Sequence, residues 1–145
     1  MSTAAPPRLN HIALTLPRQA LDERGRADIG EFYGDVFGWD VIPELTKDRE
    51  RLVLRVHRRG HFVYLIGGDE TLSAPRSDHF GIEVDTVDEL DGMLARAQAF
   101  RVRDPRVEII DREVEDHQRV VLTSFYVRYL LPLMVEVQHY TRRTD

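Results

Sequence analysis

Three residues of this chain are of types that would hold a metal if brought together: His11, His79 and Glu136. They sit at related places in a degenerate repeat. Asn10-His11-Ile12-Ala13-Leu14-Thr15-Leu16 returns in the second half as Asp78-His79-Phe80-Gly81-Ile82-Glu83-Val84. Val63-Tyr64-Leu65-Ile66 returns as Val135-Glu136-Val137-Gln138. Each half thus carries a histidine early, and the second carries a carboxylate late. Two neutral imidazoles and one carboxylate leave a divalent ion with about one net positive charge and up to three open positions, as in many mononuclear Fe(II) sites. A substrate with adjacent oxygens can chelate such an ion, which then serves as Lewis acid and template for an enediolate or catecholate.

Positioning these side chains is the task of the repeated unit. Residues 9–16 alternate as a strand, with Ile12, Leu14 and Leu16 on one face and His11, Ala13 and Thr15 on the other. After a polar loop from Pro17 to Arg26, Asp28 and Glu31 resemble a capping box. Ile29, Phe32, Tyr33, Val36 and Phe37 follow at helical spacing, and Gly38 ends that helix. Strands are predicted near 39–44, 51–57 and 61–66, with Arg59-Gly60 turning the last hairpin and Gly67-Gly68 opening a linker that runs to Pro75. The second half repeats the order: a strand at 79–84, a helix from Thr86 or Asp88, then strands near 106–113, 119–127 and 133–139. The predicted fold class is α+β, with two βαβββ modules forming a curved mixed sheet around a metal site. One domain is expected over 1–145, with modules at about 8–68 and 77–140. By parity His11, His79 and Glu136 all face away from the apolar, helix-covered side.

Whole-chain properties bound the function. The chain has 145 residues, 42% of them hydrophobic, enough for one compact core. Twenty basic residues against 25 acidic ones give a net charge of −5, which argues against nucleic-acid binding. There is no cysteine, so disulfides and thiolate metal sites are excluded. The longest apolar stretch, Tyr129 to Val135, is too short to span a bilayer and contains Pro132. Met1 to Pro7 lacks a signal-peptide pattern, so a soluble cytoplasmic protein acting on a small molecule is expected, with no nucleic acid and no membrane.

From Leu9 to Tyr140 the chain resembles the vicinal oxygen chelate superfamily. This group includes glyoxalase I, bleomycin and fosfomycin resistance proteins and extradiol ring-cleaving dioxygenases. The resemblance implies that His11, His79 and Glu136 are the metal ligands. It places Tyr64 where glyoxalase I carries a fourth, glutamate ligand, which points away from that enzyme. The sequence from His117 through Phe125-Tyr126 to Glu136 is similar to part of the dioxygenase signature, with Tyr129-Leu130-Leu131-Pro132 replacing the usual Asp-Pro-x-Gly turn. Carried across, His117 is the acid/base and Tyr126 contacts substrate. Phe62, Tyr64, Ile66 and Met134 share the ligand parity and would line an apolar pocket suited to a planar substrate. The implied activity is extradiol-type ring cleavage. The alternatives are a glyoxalase-like lyase, a fosfomycin-type transferase and a metal-free ligand-sequestering protein. Fe(II) is the favoured cofactor, with Mn(II), Ni(II) or Zn(II) as alternatives. A homodimer is expected, with Tyr129-Leu130-Leu131-Pro132-Leu133 as the apolar surface to be covered.

Overall fold

A computed structural model describes residues 4–144. The order is β1 (His11–Pro17), α1 (Glu23–Phe37), β2 (Asp40–Val41), β3 (Arg51–Arg55), β4 (Phe62–Gly68), β5 (His79–Glu83), α2 (Val87–Arg103), β6 (Glu108–Asp116), β7 (Val120–Arg128) and β8 (Met134–Arg142), with short 3-10 turns after β1 and β2. This is βαβββ used twice. The strands form two four-stranded mixed sheets, ordered β1-β4-β3-β2 and β5-β8-β7-β6, rather than one continuous sheet. In each, the module's first strand runs parallel to its last and, among the described residues, has no strand on its other side. Alternation of side chains shows which face a strand buries. It carries no information about which edges meet, so the number of sheets was not readable from it.

Both helices are set by their caps. Thr86 accepts from the Glu89 amide, and Glu89 reaches back to the Thr86 amide, a full capping box for α2. Helix α1 starts five residues before Asp28. Its cap is Asp22, whose carboxylate accepts from the Gly25 amide at 2.8 Å. Gly38 closes α1 at φ 72°, a left-handed conformation that glycine adopts without steric cost. Strand β2 is only two residues long, because the chain leaving Gly38 lays Trp39 on Tyr33, their rings stacked at 5.0 Å, rather than extending.

One hydrophobic core joins the two modules. Leu14, Leu16, Leu52, Leu54, Val63 and Leu65 supply it from the first sheet, Phe125, Val127, Val135 and Val137 from the second, and Ile29, Phe32, Tyr33, Leu90, Leu94 and Phe100 from the helices. The seam is polar as well. The fully buried Tyr33 hydroxyl donates to the Tyr129 carbonyl at 3.1 Å and accepts from the Tyr129 amide at 3.3 Å. This fixes the β7–β8 turn, where Leu130 sits at φ 57°, a conformation β-carbon-bearing residues avoid. Tyr129 and Leu131 are 1% and 5% exposed, so much of the apolar run at 129–133 serves the chain's own core rather than a surface awaiting a partner. Nearby, Asp104 accepts from Arg106 and from the Tyr129 hydroxyl at 2.6 Å. Those bonds, the arginine's first, hold its carboxyl well below the usual carboxylate range.

Candidate metal centre

Each sheet has a face turned away from the helices, and the residues in question lie there. On the first sheet the strand register places His11 beside Phe62, Ala13 beside Tyr64 and Thr15 beside Ile66. On the second, His79 pairs with Met134, Gly81 with Glu136, and Glu136 in turn with Tyr126. Phe62 and Tyr64 therefore accompany His11, whereas Met134 and Tyr126 accompany His79. The apolar lining is divided between two sheets.

The geometry around His79 is close. Its Nε2 lies 3.1 Å from Glu136 Oε2. Its Nδ1 lies 2.8 Å from the Ser77 carbonyl oxygen. A carbonyl only accepts, so Nδ1 carries the proton, and Nε2 of the neutral ring turns a lone pair toward a carboxylate oxygen. Two acceptors at that separation repel unless something positive lies between them, either a second ring proton or a cation. Glu136 is 5% exposed, and a buried carboxylate needs such a partner. The Tyr126 ring meets the His79 ring edge-on, centroids 5.1 Å apart. Burial, and then the neighbouring Glu136 carboxylate, push the Tyr126 hydroxyl up to about 12. Tyr126 is thus a hydrogen-bond donor across the physiological range rather than a base.

His11 is arranged in the same way on its own sheet. Its Nδ1 meets Asn10 Oδ1 at 2.8 Å, and its ring stacks on Phe62, 4.7 Å away and 9° from parallel. Nε2 is again the nitrogen left free. Within one chain, however, the three donors do not converge. Among the described residues no three histidine, aspartate or glutamate side chains are grouped closely enough to hold a metal. The fit to a divalent ion is that of a two-donor half-site, His79 with Glu136, and a separate single donor, His11.

His117 is not near either. It lies on the β6–β7 turn, largely exposed, paired with Glu115 at 3.0 Å. The neighbouring Val120 pairs with Arg142, six residues along β8 from Glu136, which is roughly 20 Å at strand rise. There it borders a separate surface depression with Glu83, Val120, Tyr140 and Arg142. The groups that sequence reasoning passed over are the Asn10 side chain and the Ser77 backbone carbonyl, which hold the two Nδ1 atoms. The available signal was their place just upstream of each repeat histidine.

Comparison with solved structures gives the same architecture. FosX, a fosfomycin resistance protein from Listeria monocytogenes, superposes with a TM-score of 0.65 at 17% identity, covering 94% of each chain. Lactoylglutathione lyase from Agrobacterium tumefaciens gives 0.63 at 19% identity, covering 92% of this chain and 94% of its own. A glyoxalase/bleomycin resistance protein from Albidiferax ferrireducens gives 0.62 at 11% identity, covering 90% and 98%. No family model and no curated protein sequence matched. The chain shares the fold of these three proteins. No described helix is long and apolar enough to cross a membrane.

Proposed function

We propose that two copies of this chain build a divalent-metal site at which a small substrate is chelated through two adjacent oxygens. His79 and Glu136 of one copy and His11 of a second copy are the donors. The observation that carries this reading is the facing pair of His79 Nε2 and Glu136 Oε2, with Nδ1 already committed to the Ser77 carbonyl. The unpaired outer edges of β1 and β5 support the second copy, because each histidine lies on such an edge strand. The names of the structural neighbours, resistance proteins and lyases, fit a small-molecule substrate.

The metal, when bound, supplies Lewis-acid stabilisation of an oxyanion and a template for the substrate oxygens. The chain's own residues do the rest. Ser77 and Asn10 orient the imidazoles. Tyr126 stands beside Glu136, and its hydroxyl, hydrogen-bonded to that carboxylate, helps hold it in place. Phe62 and Tyr64 provide apolar surface beside His11, whereas Met134, the cross-strand neighbour of His79, is fully buried. His117 lies roughly 20 Å away along the sheet of the same copy, so this reading assigns proton transfer to the substrate's own groups or to water.

Metal analysis of protein purified without chelator is the first test. About one equivalent of divalent metal per chain, abolished in His79→Ala, is expected. Absence of metal from the wild type would leave the ligand-sequestering reading. Activity is then assayed with Mn(II), Ni(II), Zn(II) and anaerobic Fe(II) against epoxides, 2-oxo thiol adducts and catechols. Turnover of an epoxide or thiol adduct without oxygen uptake is the expected result. The position of Tyr126 beside Glu136 favours one second reading, Fe(II)-dependent ring cleavage, and oxygen uptake with a catechol would establish it.

A further inference from the structure

His11 is exposed on an edge strand, yet its ring is not free to turn. Three contacts hold it. The Asn10 carbonyl accepts from the Phe62 amide at 3.0 Å, which fixes the Asn10 backbone in the parallel ladder. The Asn10 side-chain oxygen faces His11 Nδ1 at 2.8 Å. The Phe62 ring, on the adjacent strand, lies 4.7 Å under the imidazole and 9° from parallel to it. The carbonyl, the amide oxygen and the ring form a closed loop of contacts through residues 10, 11 and 62. An exposed side chain gains little stability from such order and loses rotamer freedom by it.

The chemistry of the ring gives the order a purpose. A neutral imidazole in water prefers its proton on Nε2, which would block that nitrogen as a donor. A hydrogen bond from Nδ1 to an amide oxygen moves the proton to Nδ1 and leaves Nε2 as a lone-pair donor, pointing outward. In the second module the backbone carbonyl of Ser77 does this for His79. In the first a side chain does it, so it can be removed without breaking the strand.

We infer that Asn10 is a positioning residue for the metal centre: it selects the Nδ1–H tautomer of His11 and so presents Nε2 to the ion, with Phe62 setting the plane of the ring. This rests on the proposal that His11 is a donor. Holding partners of this kind change metal affinity by roughly 10- to 100-fold when lost.

The test compares wild type with Asn10→Ala and Asn10→Asp. The tautomer of His11 is read in the metal-free protein by long-range ¹H–¹⁵N correlation under mildly alkaline conditions. Wild type and Asn10→Asp are expected to show Nδ1–H, and Asn10→Ala to show Nε2–H. Co(II) titration followed by its visible bands is expected to show at least tenfold weaker binding in Asn10→Ala and recovery in Asn10→Asp. An unchanged tautomer in Asn10→Ala, or unchanged cobalt affinity despite an inverted tautomer, overturns the positioning role. If wild-type protein binds no cobalt while the tautomer still depends on Asn10, the metal proposal fails instead, and with it the purpose assigned to Asn10.

Discussion

His79 and Glu136 show how much chemistry one contact can carry. A 3.1 Å approach of two atoms that both accept hydrogen bonds is tolerable only with a proton or a cation between them. Metal and proton therefore compete for the same gap, and metal uptake by this pair should release protons. His79→Ala is expected to abolish stoichiometric binding and the thermal stabilisation that metal confers. At a metal concentration a hundredfold above Kd that stabilisation is about 2.7 kcal/mol, or roughly 5–10 °C for a chain of this size. Calorimetry with and without added metal measures it, and an undiminished shift in the variant would remove His79 from the ligand set. His117 provides the contrast. Its ring is paired with an exposed glutamate on a distant turn, so His117→Phe should leave turnover within about twofold of wild type. A loss of a hundredfold or more would mean that the β6–β7 turn folds over the site during the reaction. The sequence marked both histidines as candidates. What it did not carry was distance, because spacing along β7 and β8 becomes position only once the register is fixed.

At the scale of elements, the β7–β8 turn is the piece on which Glu136 depends. It replaces the expected polar turn with Tyr129-Leu130-Leu131-Pro132, and it is held by a hydroxyl from α1, ninety-six residues away. Tyr33→Phe removes that hydroxyl and leaves the Tyr129 amide and carbonyl buried without partners. A loss of about 1–3 kcal/mol is expected by denaturant unfolding, since buried orphaned groups cost that much. A change below about half a kcal/mol would show that the turn is held by packing alone. The origin of α2 was legible because Thr86 and Glu89 have the right types at the right spacing. The origin of α1 was not. Asp28 and Glu31 imitate the same signal inside a helix already begun at Asp22. Leu21, fully buried just ahead of Asp22, anchors the chain at that earlier point, so tertiary burial decided the start where local types were ambiguous.

Across the whole molecule, the polar seam and the open sheet edges make different demands. Asp104, held by Arg106 and Tyr129, has its folded-state pKa depressed. The unfolded chain then binds more protons in acid, and the stabilisation is complete above roughly pH 4–5 and lost as pH falls through the folded value. Stability measured against pH for wild type and Asp104→Asn should differ by a constant amount near neutrality and converge in acid. A difference that persists unchanged in acid would assign the effect to packing. The apolar pattern showed that each module has a helix side and an open side, but not that His11 lies on one sheet and His79 with Glu136 on the other. Light scattering at micromolar concentration is expected to give a dimer mass, and a strictly monomeric protein that still binds metal tightly would contradict the shared site. The unpaired edges of β1 and β5 have a consequence for how such a protein behaves in dilute solution. Where the third donor arrives with another molecule, metal is held by a pair and lost by its members. Apparent metal affinity then rises with protein concentration, and a chelator draws the pair apart as it strips the ion. On the proposed shared site, the abundance of the chain would control its own metal content, so that scarcity would empty the site before degradation did.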